Sequence, residues 1–225
     1  MSDFKNLINE NTCPSLRQAS MGNMYHKKRI VTSYGELVGA LDELDEGGII
    51  ELMPADYVGD IEITKDIAII GHSIGQTRIM GNVKIDTTED YHTVELSGFK
   101  IEAPDDTECI TVDNVGELIL RNMEITGSIA SAEIVDFNKG VLIAEFTTFY
   151  NKSATSPASI DFTGSDGAAT LPNMLVNCAL LGDVDYADKY TIITGILLPA
   201  VYSASNTTNV KAPAGTDSTG YFTNF

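Results

Sequence analysis

Tryptophan is absent from this chain, and cysteine and histidine occur only three times each. Without Trp, a sugar-binding groove loses its strongest aromatic platform. The cysteines, Cys13, Cys109 and Cys178, are odd in number, far apart and in no C-x-x-C pattern. That excludes a disulfide framework and a zinc site of the usual spacing. Cys109 and Cys178 lie in apolar runs and are expected as buried thiols. The histidines, His26, His72 and His92, fall in separate segments and suggest no metal triad. No Gly-rich phosphate loop occurs, and no cofactor is expected.

Long hydrophobic runs are also missing. The longest, Ile192 to Val201, is broken by Thr194, Gly195 and Pro199 and is too short to span a bilayer. The first residues, MSDFKNLINENTCPSL, lack a charged region leading into an apolar one, so no signal peptide is expected. These features predict a soluble protein made in the cytoplasm, without a membrane partner. The Asn-x-Ser/Thr matches at Asn151 and Asn206 then carry little weight.

Positive charge is scarce and unevenly placed. The net charge is −18, yet residues 1–29 carry +3 and the remainder −21. An acidic body repels nucleic acid and anionic lipid and keeps a crowded protein soluble. The basic run HKKR (26–29) has no interleaved aromatics, so nucleic-acid binding is not expected.

Hydrophobic content of 43% is ordinary for a globular chain. Three regions separate by pattern: an arm (1–32), a body (33–202) and a polar tail (203–225). The body opens with SYGELVGALDELDEGG, where Ser33 reads as an N-cap. Leu37, Leu41 and Leu44 follow at helical spacing, and Gly47-Gly48 reads as the stop. From Ile49 the period becomes two, in short runs such as IIELM (49–53), IEI (61–63), IAII (67–70), VKI (83–85), VEL (94–96), ITV (110–112), LIL (118–120) and VLI (141–143). Strands so short, with no helices between them, do not fit a βαβ sheet.

A phrase recurs through this region: LSGFKI (96–101), LRNMEI (120–125), AEFTTF (144–149), LVNCAL (175–180) and ITGILL (193–198). The intervals are 24, 24, 31 and 18 residues. A period near 24 with insertions predicts a coil that adds one rung per repeat, each rung burying its neighbour's inward face. The third position holds Gly98, Asn122, Phe146, Asn177 and Gly195. Gly and Asn there predict a left-handed bend, with Asn side chains bonding along the axis; Phe146 predicts a wider turn. Phe99, Ile101, Met123 and Ile125 are then core residues, and Lys100 and Glu124 face outward.

These residues, with GELVGALDELDEGGIIELMPADYVGDIEITKDIAIIGHS (35–73), resemble the right-handed parallel β-helices of the pectate-lyase-like superfamily. The resemblance runs over about residues 33–200. It implies an all-β, single-stranded right-handed parallel β-helix with an N-terminal capping helix, an extended arm and a C-terminal tail. Function is not implied, because lyases, hydrolases, esterases and non-enzymatic viral proteins share that scaffold.

The family's catalytic patterns are not matched. A uronide lyase needs acidic residues holding Ca²⁺ and an Arg or Lys base. Only Arg78 and Arg121 remain as arginines after residue 29. The acidic clusters APDDTE (103–108) and DVDYAD (183–188) lack the Gly-centred loop of an EF-hand and read as solvated turns. Gly71-His72-Ser73 has no paired carboxylates downstream, so His72 reads as a turn residue, and Ser73 and Ser97 lack a His/Asp set. No catalytic and no metal residues are therefore assigned.

The resemblance then points to a bacteriophage structural protein: a capsid decoration (cement) protein, a homotrimer on the outer capsid whose partner is the major capsid protein. Lys5, Arg17, Lys27, Lys28 and Arg29 of the arm are its expected docking residues. The alternative is a carbohydrate-active enzyme, or a tail-spike or adhesin binding polysaccharide, on the same coil.

Overall fold

A computed structural model describes residues 27–89, 91–130, 133–153, 158–161, 173–181, 183–185, 191–194 and 222–223. A first strand, β1 (Lys28–Val31), leads to one helix, α1 (Tyr34–Glu43), and then to coils of three short strands. The first coil is β2 (Gly48–Leu52), β3 (Asp56–Val58) and β4 (Ile61–Ile63); the second is β5 (Ile67–Gly71), β6 (Arg78–Met80) and β7 (Val83–Asp86). The third holds β8 (Thr93–Ser97), β9 (Lys100–Glu102) and β10 (Ile110–Asn114); the fourth holds β11 (Glu117–Arg121), β12 (Glu124–Gly127) and β13 (Val135–Phe137). The fifth is β14 (Val141–Glu145), β15 (Thr148–Asn151) and β16 (Ala158–Asp161), and the sixth is β17 (Asn173–Val176), β18 (Ala179–Leu181) and β19 (Asp183–Asp185). Finally β20 (Thr191–Thr194) and β21 (Phe222–Thr223) extend the first sheet.

Equivalent strands stack into three sheets: a first of nine strands and a second and third of six each. Neighbours pair in parallel, so the chain is a parallel β-solenoid. The registers Ser97↔Arg121↔Glu145↔Val176↔Thr194 reproduce the 24, 24, 31 and 18 spacing of the repeated phrase. Loops absorb the difference in coil length while each strand keeps its place.

Alternation inside each strand explains the stacking. In β8, Val94 and Leu96 are buried while Thr93, Glu95 and Ser97 are partly exposed. Like side chains then sit on like: Tyr57, Ile79, Ile101, Ile125 and Phe149 form one inward column of the second sheet. Ile50, Ile69, Leu96, Leu120, Ala144 and Leu175 form one of the first. Each such Ile or Leu removed from water contributes about 1.5–3 kcal/mol. Phe99, Ile101, Met123 and Ile125 are buried as expected.

The helix begins at the expected N-cap: the Ser33 hydroxyl accepts the Glu36 N–H. The Glu36 carboxylate turns back to accept both the N–H and the hydroxyl of Thr32, which lowers its pKa. Leu37, Ala40 and Leu41 are buried, and the helix packs against the opening strands. It ends sooner than the glycines suggested. Leu44 is already the C-cap, its N–H bonding the Ala40 carbonyl, and Gly47 (φ 75°) serves the turn into β2 instead.

At the repeated corner Gly98 (φ 75°), Asn122 (φ 50°) and Asn177 (φ 52°) are left-handed. Phe146 does not widen the turn. It adopts φ 50° like its neighbours, and its N–H bonds the next coil at Val176 O as Asn122 N–H bonds Glu145 O. The backbone ladder on both sides dictates the corner, and Phe is held in a conformation that disfavours it. Phe146 also separates Asn122 from Asn177 in the column, so the expected axial Asn ladder is interrupted. Gly195 lies outside the described residues, as do the expected boundary at 202/203 and most of the tail.

Candidate functional site

The cations expected to dock on a partner come first. Residues 28–31 of the arm are not extended away from the body but form β1, hydrogen-bonded to β2. Lys27 Nζ lies 2.7 Å from Asp45, Lys28 Nζ 2.6 Å from Glu51 and Arg29 Nη2 2.7 Å from Glu43. All three therefore meet carboxylates of their own body. Lys5 and Arg17 lie outside the described residues.

Along the coils, cations brace neighbouring turns. Arg78 donates to Asp56 (2.9 Å) one coil back and to Glu102 (2.9 Å) one coil on. Lys100 reaches Glu124 at 3.0 Å, as its outward position predicts, and Lys152 reaches Glu102 at 2.8 Å. On the third sheet Lys84 lies 3.3 Å from Asp113 and 3.5 Å from Glu62. Glu102 sits among three cations. The Lys152 hydrogen bond, opposed by desolvation and aided by Arg78 and Lys100, draws its pKa down to about 2.

Arg121 is the residue to compare with a lyase base. Its Nη1 donates to Glu95 (2.8 Å) and its Nε to Glu145 (3.0 Å), on the coils before and after. Partial burial opposes its charge, but the two carboxylates outweigh that and raise its pKa above the ordinary Arg value. A guanidinium held this way stays protonated. Ile119, in register with Glu95, stands outside the core cluster between Leu118 and Leu120 yet is only 3% exposed.

Two concavities lie among the described residues. A cavity of about 370 Å³ is lined by Asp56, Gln76, Thr77, Arg78, Lys100 and Glu124. A groove of about 540 Å³ lies between α1 (Tyr34, Val38, Leu41) and β4 with its flanks (Asp60 to Lys65).

The histidines and cysteines have structural settings. His72 is exposed, with Nε2 3.8 Å from Glu51. His92 is 1% exposed; neither ring nitrogen makes a hydrogen bond, Nε2 is 3.4 Å from Glu46, and the Tyr91 ring packs edge-on. Its carbonyl accepts the N–H groups of Gly116 and Glu117. Cys109 and Cys178 are buried free thiols, each pushed up to about 11 by desolvation. Among the described residues no three His, Cys, Asp or Glu side chains converge as metal ligands, and no helix is long and apolar enough to cross a membrane.

The chain matches no protein-family model and no curated protein sequence. The bracing of Arg78, Glu102 and Arg121 went unseen in the sequence. The signal was present, since Asp56, Arg78, Lys100 and Glu124 recur at spacings of 22 to 24 residues. Reading it required the register of the second sheet, whose strands are only three or four residues long.

Proposed function

We propose that this chain is a non-catalytic structural protein: a right-handed β-helix of the pectate-lyase-like type that decorates the outside of a viral capsid and stabilises it. In this reading it is a homotrimer, and its partner is the major capsid protein. The observation that carries the non-catalytic part is the bracing of Arg121 between Glu95 and Glu145. A lyase base must give up its proton before it can take one from a sugar ring. Here the cation holds three coils together instead, as Arg78 does in the second sheet. Rigid coils and an acidic body suit a protein displayed in many copies, where modest contacts sum over a particle. The capsid, the trimer and the virion location come from the resemblance of the sequence to viral β-helices.

Incubation with pectate, alginate and capsular polysaccharide, with and without Ca²⁺, tests the catalytic side. No unsaturated or shortened products are expected. Product release that Arg121→Ala abolishes would overturn this reading.

A second reading, polysaccharide binding without turnover, is favoured by the polar cavity at Arg78, Lys100, Asp56 and Glu124. Its mixture of donors and acceptors suits hydroxyl groups. Glycan binding that Gln76→Ala weakens, with the fold intact, would support it.

A further inference from the structure

We infer that the groove between α1 and β4 docks an extended segment of another protein. That segment carries a cation between two apolar residues and joins the third sheet as an edge strand. At this end of the coil β1 extends the first sheet past β2, and α1 packs against β1, β2 and β3. The third sheet gains no strand there. Its order ends at β4, so one edge of Ile61–Ile63 has no strand partner among the described residues.

Backbone direction makes that edge a recognition element. Ile61 N–H bonds Asn82 O, just before β7. Successive residues of a parallel ladder point to opposite sides, so Glu62 turns its N–H and C=O to the groove. Among the described residues neither group has a backbone partner there. One residue before β4, the Asp60 carbonyl already accepts the Tyr34 hydroxyl of α1 (2.7 Å). Glu62 is therefore the position at which an incoming strand exchanges hydrogen bonds.

The other edge of β4 shows which sequence suits it. There β7 sets Val83-Lys84-Ile85 in register with Ile61-Glu62-Ile63. Val83 and Ile85 are buried, and Lys84 Nζ stands 3.5 Å from Glu62 Oε1. The groove offers matching surroundings on its own side. Val38 and Leu41 of α1 supply an apolar wall, and Asp42, Asp60 and Glu62 an acidic rim. Lys65, the cation of the lining, turns its Nζ to the Leu44 carbonyl (2.6 Å). Glu62 keeps capacity for a second cation, since its side chain is 57% exposed and Lys84 is shared with Asp113 (3.3 Å). Three residues of strand span about 10 Å, which matches β4, and the groove holds about 540 Å³. A second copy would bring a chain of net charge −18 to this acidic rim, whereas a basic segment of a different protein meets attraction.

Fluorescence anisotropy of a labelled, end-blocked peptide GTVKITG, titrated with the full chain, tests the site. Saturable one-to-one binding is expected. It should weaken about tenfold or more when Glu replaces the peptide's Lys, and likewise in Glu62→Lys. Glu62→Pro removes the groove-facing N–H without touching the β7 ladder, so it should abolish binding. Slow amide exchange at Ile61 and Ile63 reports that the variant is folded; if that protection is lost, Glu62→Lys decides. Absence of saturable binding to the unaltered chain would overturn the inference. So would binding that neither Glu62 variant weakens, which would place the peptide elsewhere. Self-association of the chain that Glu62→Pro abolishes and the peptide disperses would overturn it too, assigning the groove to a second copy.

Discussion

Phe146 adopts φ 50° at a corner where adjacent coils use Asn, and the residue is 64% exposed. A non-glycine residue in this region carries about 1–2 kcal/mol of strain, which Asn relieves through its short polar side chain. Phe146→Asn should therefore stabilise the protein by roughly 0.5–1 kcal/mol, read as a higher midpoint in urea; a lower midpoint would mean the ring packs on something that its exposure hides. Gly98 is the opposite case. At φ 75° an added Cβ would stand 2.7 Å from the Gly71 carbonyl oxygen, and backbone cannot retreat. Gly98→Ala should destabilise by about 2 kcal/mol or more in the same titration. The bend at Gly98 and Asn122 was legible in the sequence because these residue types announce left-handed backbone. Phe146 announced the contrary, and only the ladder that fixes its neighbours explains why it conforms.

In the opening coils, strands of the first and third sheets such as β2, β4, β5, β7 and β8 were legible as apolar runs, since each puts two branched residues inward. Those of the second sheet, such as Asp56–Val58 and Arg78–Met80, show one inward apolar residue between outward-facing neighbours. A single residue carries no period, so they are defined by the coils on either side. The core column through them is nonetheless continuous, and Ile125→Ala at its middle should cost about 3 kcal/mol in equilibrium unfolding. The charges on the outward face belong to the same sheet. Glu102 has a pKa of about 2 in the folded chain against an ordinary 4.5. A depressed carboxyl contributes stability that is complete above its unfolded pKa and is lost as pH falls through the folded value. Its side chain is 23% exposed, so the contribution is screened to about 1 kcal/mol. Glu102→Gln should lower stability by that amount at neutral pH, and the difference should vanish as the pH falls from about 4.5 to 2. A difference that persists at pH 2 would show that the side chain acts through packing rather than charge.

At the scale of the whole molecule, the sequence separates a weakly basic first segment from an acidic remainder, +3 against −21. The structure shows the last three cations of that segment bound to their own body, while Lys5 and Arg17 lie outside the described residues. The coils are cross-braced by Arg78, Lys84, Lys100, Arg121 and Lys152, which stiffens the stack along its axis. The proposed decoration role was least legible because it depends on surfaces matched to a partner, and such a match leaves no residue pattern in one chain. The most direct measurement is co-sedimentation of the purified full chain with empty capsids assembled from the coat protein of the same genome. Saturable binding at a fixed number of copies per capsid, weakened by salt and by Lys5→Glu with Arg17→Glu, is the expected result. A chain that stays in the supernatant at every concentration and salt would contradict the structural role.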